Sequence, residues 1–357
     1  MLDDNCYVVI MAGGSGTRLW PLSRKHEPKH LLRLFNGKCL IELTIDKLKD
    51  CIPNERIIVL TSIHYKDLTR QILPQIPLNN FIFEPCIRDT ASAIGLAATV
   101  LQQRCEDATM IVLTADQIIE PAELFNSAIT KASQLIENNP ECLIAFGVSA
   151  SSPSTLVGWQ QLGEPLDFSG CEAKKIIKFI EKPELSDAQL YMEEGGYCWN
   201  SGQFAWKAKT ILQEIYDYMP ESKPILKEIG LTWNTEFRDQ VLHKMFQKMP
   251  KGSIDYQIMQ RTKKAYSILL PCNWEDMGIH TALIRKIGKK QKDNIVLGKA
   301  IIKGSGNYIL TDTGQKLVVD HDDLTIIITD NIIFVGKANT DMKDLLKDVE
   351  RQAPEIL

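Results

Sequence analysis

Through the first half of the chain, short apolar runs that stop abruptly at glycine or polar clusters alternate with longer amphipathic stretches. Tyr7–Ala12 is continuous, β-branched and ended by glycine, the pattern of a fully buried strand. Arg56–Thr61, Phe81–Phe83 and Met110–Ala115 repeat it. Between them, Leu40–Leu48, Tyr65–Leu73, Thr90–Gln103 and Glu120–Ile136 read as helices, the third capped by Asp89 or Thr90. Strands alternating with helices of this length predict an α/β fold: a Rossmann-like, mixed but mostly parallel sheet flanked by helices.

The pattern then changes. Leu143–Val148, Trp159–Leu162 and Ile176–Ile180 read as strands with longer polar connections, and helices are expected near 188–194, 208–218 and 236–249. A basic stretch, Lys289–Lys292, reads as a linker. It divides a catalytic domain, 1–288, from a small C-terminal β-rich domain, 289–357. There Gly298 and Gly304 stand six apart, the interval of a hexapeptide turn in a left-handed β-helix. Met342, Leu345, Leu346 and Val349 share one face of a closing helix, an apolar stripe suited to docking within the protein or in a homodimer.

With 357 residues, 44% hydrophobic and 24% charged, the chain supports a sizeable core. A net charge of −4 and the lack of a basic block argue against nucleic acid as partner. No apolar run approaches the length of a membrane span. Nine scattered cysteines without a Cys-x-x-Cys pair read as reduced thiols of a cytoplasmic protein. His26-Glu27-Pro28-Lys29-His30 matches the zinc-protease string H-E-x-x-H, but Pro28 breaks the helical turn that would align the two imidazoles.

The chemistry starts where the first strand ends. Ala12-Gly13-Gly14-Ser15-Gly16-Thr17-Arg18 lets successive N–H groups form an anion-binding nest, and Arg18 and Lys29 add fixed positive charge. The run lacks the Gly-Lys-Ser/Thr of a Walker loop, and Leu19 stands where a dinucleotide fingerprint needs glycine. A second requirement of phosphoryl chemistry is a carboxylate at the carboxyl end of a neighbouring strand. Asp116 satisfies it, with a helix N-cap as its structural alternative.

The string G-G-x-G-T-R-L with the later Pro28-Lys29 pair resembles the signature of the sugar-1-phosphate nucleotidyltransferases. That resemblance implies a triphosphate wrapped by the loop, with Arg18 and Lys29 on its phosphates. Leu113-Thr114-Ala115-Asp116 resembles the family's Mg²⁺-binding strand end, and Asn273–Gly278 its W-x-D-x-G segment. Asp276 is thereby implied as second metal ligand, with Glu275 as the competing choice. Gln117 and Ile279-His280 depart from the family pattern. Phe179–Pro183 resembles the sugar-phosphate motif, implying Glu181 on hexose hydroxyls and Lys182 on the 1-phosphate. By the same resemblance Asn200, Gly158 and Asp255 face the sugar, although Asp255 could equally cap a helix.

Glu84-Pro85-Cys86-Ile87-Arg88-Asp89-Thr90-Ala91 follows the third strand. It resembles the corresponding string of the mannose-1-phosphate guanylyltransferases, implying that Glu84, Pro85, Arg88, Asp89 and Thr90 contribute to the nucleotide site. The implied reaction takes GTP and mannose 1-phosphate to GDP-mannose and pyrophosphate with Mg²⁺. Two other readings stand beside it: the same transfer to another sugar 1-phosphate, such as a heptose 1-phosphate, and a non-catalytic GDP-sugar-binding regulator.

Overall fold

The computed structural model describes the chain except at positions 1, 15, 167–171, 312–315, 338–339 and 341, so Ser15 of the loop and Cys171 lie outside the described residues. Compactness divides it into two units: Met1–Gly13, Asp46–Thr114 and Ile119–Trp274 form the first, and Gly14–Ile45, Ala115–Ile118 and Glu275–Leu357 the second. This is not the division at 288/289 that the composition suggests, because the loop segment Gly14–Ile45 is grouped with the C-terminal strands.

The strands of the first half of the chain are β1 (Cys6–Ala12), β2 (Ile57–Ser62), β3 (Phe81–Glu84), β4 (Thr109–Thr114), β5 (Gln117–Glu120), β6 (Leu143–Val148) and β7 (Trp159–Pro165). They are followed by β8 (Ala173–Ile180), β9 (Tyr197–Lys207), β10 (Ala265–Leu269) and β11 (Asn273–Asp276). The first unit is a nine-stranded sheet in the order β3-β2-β1-β4-β9-β6-β10-β8-β7. Strands β3, β2, β1 and β4 are mutually parallel. Every residue of β2 is buried, as expected for a strand covered on both faces. The long strand β9 runs antiparallel to β4, β6 and β7, joining the parallel part to the remainder.

The helices Asp89–Arg104 and Ala208–Tyr218 bury their apolar residues in one core with Val9, Ile58, Met110, Phe204 and Trp206. Among the described residues no helix is long and apolar enough to cross a membrane.

Several local expectations are corrected. Glu120 ends β5, and the helix expected from it starts at Ala122, after Pro121, whose missing N–H and fixed φ suit the position before a first turn. Residues 236–249 hold a shorter helix, Arg238–Phe246, preceded by a further one, Ser222–Thr232. Neither Asp89 nor Thr90 is the N-cap of its helix; Arg88 occupies that position.

In the second unit Lys289–Gln291 is a strand, β12, rather than a linker. It pairs antiparallel with β13 (Asn294–Leu297), and its exposed lysines and glutamine suit a sheet edge. Strands β14 (Ala300–Ile302), β15 (Tyr308–Thr311), β16 (Leu317–Val319), β17 (Leu324–Ile328) and β18 (Ile333–Lys337) follow. Strands β13, β15 and β17 stack in parallel, as do β14 and β16, giving β-helix-like coils.

Ile295 pairs with Tyr308, and Ala300 with Leu317, so a coil takes 13 or 17 residues and the hexapeptide interval is incidental. Gly298 and Gly304 sit where a Cβ would fall on the carbonyls of Thr311 and His321, one coil later. The apolar stripe of the closing helix, Met342–Gln352, packs with Trp20, Ile284, Leu310, Ile327 and Phe334 inside this unit.

Candidate active site

In the second unit the phosphate-type loop packs on a buried lysine. Gly16 has φ +67°, and a Cβ there would lie 2.8 Å from both the backbone N and the Cβ of Lys29. Only glycine meets both demands. Ser23 Oγ donates to Gly16 O at 2.5 Å, and Leu19 N–H donates to the same carbonyl at 2.9 Å, closing the turn Thr17–Leu19. Among the described residues, Gly14 and its chain neighbours apart, no heavy atom lies within 4 Å of the Cβ position of Gly14, and Arg18 is exposed.

Lys29 is 7% exposed, and its Nζ lies 2.5 Å from Asp116 Oδ2 and 3.9 Å from Asp276 Oδ1. Asp116 stands in the turn between β4 and β5, so its N-cap alternative falls: a strand follows it, not a helix. Met277 N–H donates to Asp116 O at 3.3 Å, tying the two acidic segments together. Adjacent strand residues face opposite ways, and Asp276, not Glu275, meets the lysine. Asp276 Oδ1 is buried without a hydrogen-bond partner among the described residues. Burial pushes the Asp276 carboxyl above the usual range; Lys29 opposes that shift and Asp116 adds to it.

Two adjacent carboxylates, one with an orphaned oxygen, fit a hard cation that keeps part of its water shell and shares phosphate oxygens. They do not make a closed cage: among the described residues no three His, Cys, Asp or Glu side chains are gathered for a metal. His30 lies in the turn Lys29–Leu31 and, pushed down to about 4 by burial, is neutral at pH 7; no zinc-protease helix forms.

The remaining site residues belong to the first unit. Ala12 O accepts from Thr61 Oγ1 at 2.8 Å. Glu84 closes β3, and its Oε2 lies 3.1 Å from where a Cβ on Gly13 would be. Burial, reinforced by Asp89, raises the Glu84 carboxyl to about 8. Pro85 lines a cavity of about 350 Å³ with Phe81, Phe83 and Trp233.

Asp89 adopts φ +67° and accepts the Thr90 N–H at 2.7 Å. Thr90 Oγ1 accepts from Ile254 N–H at 2.8 Å, and Arg88 donates to Gln247 O. The side chains of Arg88 and Thr90 thus anchor the segment 247–254.

Gly158, Glu181, Lys182, Asn200 and Asp255 come together in the same unit. A Cβ on Gly158 would lie 2.8 Å from Glu181 Oε2 and 3.4 Å from Asn200 Cβ. Lys182, at φ +48°, holds Glu181 Oε1 at 2.9 Å. Asn200 Nδ2 donates to Asp255 Oδ1 at 3.1 Å, and Asn200 N–H to Gly158 O at 2.7 Å. Asp255 is not a cap: Ile254 precedes its turn, Asp255–Met259. Burial, then the charge of Glu181, lifts the Asp255 carboxyl to about 7.

Sequence reasoning missed the polar residues behind Asn200. Gln160 is fully buried, with Nε2 3.2 Å from Asn200 Oδ1, and its Oε1 accepts from Ser267 Oγ at 2.6 Å. A glutamine inside a buried strand was the available signal, since a buried amide must find partners.

The chain matches the nucleotidyl transferase family over residues 7–293. It is 33% identical to the mannose-1-phosphate guanylyltransferase of Klebsiella pneumoniae over 345 residues, covering 96% of this chain and 73% of that one. To the mannose-1-phosphate guanylyltransferase of Escherichia coli K12 it is 30% identical, covering 98% and 74%. The solved structure of the mannose-1-phosphate geranyltransferase of Thermus thermophilus superposes with a TM-score of 0.83 at 27% identity, covering 97% of this chain and 99% of that one.

Proposed function

The chain belongs to the nucleotidyl transferase family, and from that premise we propose that it transfers GMP from GTP to α-D-mannose 1-phosphate, yielding GDP-mannose and pyrophosphate. The observation that carries the reading is the set Gly16, Lys29, Asp116 and Asp276: a glycine turn, a buried cation and two carboxylates gathered in one unit. Transfer from a triphosphate needs positioned charge more than covalent chemistry.

In the reaction, a phosphate oxygen of the sugar phosphate attacks the α-phosphorus of GTP. The bond from that phosphorus to the bridging oxygen of the β-phosphate breaks, and pyrophosphate leaves with the electron pair. Arg18 and the loop N–H groups face the triphosphate, and Lys29 with Arg18 offsets charge on the leaving group. Asp116 and Asp276 would hold Mg²⁺, which when bound neutralises phosphate charge and orients phosphate oxygens. Glu181 and Asn200 fix the hexose, and Lys182 orients its phosphate.

Guanine presents N1–H and the N2 amine as neighbouring donors. Glu84 is the candidate acceptor; guanine donors would favour its ionised form against the burial that raises its pKa.

The test is steady-state pyrophosphate release with a panel of sugar 1-phosphates, including mannose, glucose and heptose 1-phosphates, against GTP, UTP and dTTP. The highest kcat/KM is expected for GTP with mannose 1-phosphate. A preference for UTP overturns the base assignment, and a preference for another sugar overturns the acceptor.

A further inference from the structure

We infer that Gln160 is a positioning residue for the sugar phosphate, fixing which end of the Asn200 amide faces the ligand. The inference rests on the proposed function, because it assigns Asn200 to the hexose. Gln160 lies on β7, whose register sets it opposite Cys198 of β9, two residues before Asn200. Side chains two apart on a strand share a face, so the buried amide reaches Asn200 from the Cys198 side.

The hydrogen bonds leave one consistent direction. Gln160 Oε1 accepts from Ser267 Oγ at 2.6 Å and from Cys198 Sγ at 3.5 Å, a direction set at the Asn200 end, where Gly202 N–H can only donate to Asn200 Oδ1. Its Nε2 therefore donates to Asn200 Oδ1 at 3.2 Å. The same Oδ1 also accepts Gly202 N–H at 3.2 Å, where Gly202 turns at φ +72°. Asn200 is thereby bound to present its NH₂ on the other side, one N–H going to Asp255 Oδ1 at 3.1 Å. An amide carries two such protons, and the second is left for a ligand oxygen. Ser267, Gln160 and Asn200 donate one way, toward Asp255, and reversing Asn200 would set its NH₂ against the Gln160 amide and the Gly202 N–H.

This makes Gln160 a determinant of sugar-phosphate affinity that touches no substrate. The experiment is a double-mutant cycle on the full chain, with KM for mannose 1-phosphate and for GTP read separately. Gln160→Leu is expected to raise KM for mannose 1-phosphate about tenfold, the size of one hydrogen bond, with KM for GTP unchanged. In an Asn200→Ala background, the same substitution should have no further effect. Ser267→Ala, which frees the oxygen end of Gln160 without removing it, should give a smaller rise and serves if Gln160→Leu does not fold.

Additive losses in the double variant, or an equal rise in both KM values, overturn the inference alone. Wild-type protein that turns over GTP only with another acceptor overturns the functional reading, and this inference with it.

Discussion

Gly16 and Lys29 share one space: a Cβ on the glycine would stand 2.8 Å from the backbone nitrogen of the lysine. The loop therefore shapes the position of the only lysine that reaches Asp116 and Asp276 among the described ion pairs. Gly16→Ala combines a left-handed φ with that overlap. We expect it to cost about 1–3 kcal/mol of stability, read by denaturant unfolding, and to reduce turnover further than its stability loss explains. Unchanged kcat/KM would show that the loop does not depend on this contact.

One lysine faces two carboxylates. Asp116→Asn removes one negative charge and leaves Lys29 facing Asp276 alone, so we expect the divalent-cation optimum to rise and kcat to fall about a hundredfold or more. Both readouts come from turnover measured against Mg²⁺ concentration. Turnover like that of the wild type would remove Asp116 from the mechanism.

Asp255 makes stability depend on pH. Its folded-state carboxyl is raised to about 7, so the native protein holds a proton that the unfolded chain releases near the ordinary value of about 4. Native protein thus binds more protons between those values, and this group's contribution falls as pH rises from about 4 to about 7. Asp255→Asn should stabilise the fold at pH 8 relative to wild type by about 1 kcal/mol, the side chain keeping some contact with solvent, and the gain should vanish at pH 4. Urea unfolding at the two pH values checks it, and a gain independent of pH would rule out this group.

The coils of the second unit carry a buried asparagine step. Asn307 Nδ2 donates to Asn294 Oδ1 and to His321 O, each at 2.9 Å, while its Oδ1 accepts Leu324 N–H at 3.0 Å. Asn307→Leu strips all three bonds and takes the side-chain partner from the part-buried Leu324 N–H and His321 carbonyl. A loss of about 2–4 kcal/mol is expected, seen as a lower midpoint of thermal unfolding. A midpoint within a degree of wild type would mean that the step is dispensable.

Direct attack by the sugar phosphate involves a single displacement. With chiral α-thio-GTP as donor, configuration at the α-phosphorus should invert. Net retention would require a covalent intermediate and would refute the proposed step.

The order of strands and helices in the first half of the chain was legible because each buried parallel strand is a continuous apolar run ended by glycine or a polar residue. The glycine loop and Asp116 stood out as candidates because each places an unusual residue type at a strand end, whereas Glu181 and Asn200 were named only through the family resemblance. Local pattern also sufficed for the docking stripe of the last helix. It failed at β12, where three exposed polar residues form an edge, and at the helix Ser222–Thr232.

Residue order thus tells which chemical groups are available and on which kind of element each lies. Tertiary structure alone decided that Lys29 is buried against two carboxylates, that Thr90 and Arg88 anchor the segment 247–254, and that Gln160 stands behind Asn200. The reason is physical: propensity and periodicity act over neighbouring residues, whereas the pairing of buried charges and amides is settled by which distant segments the sheet register brings within hydrogen-bond reach.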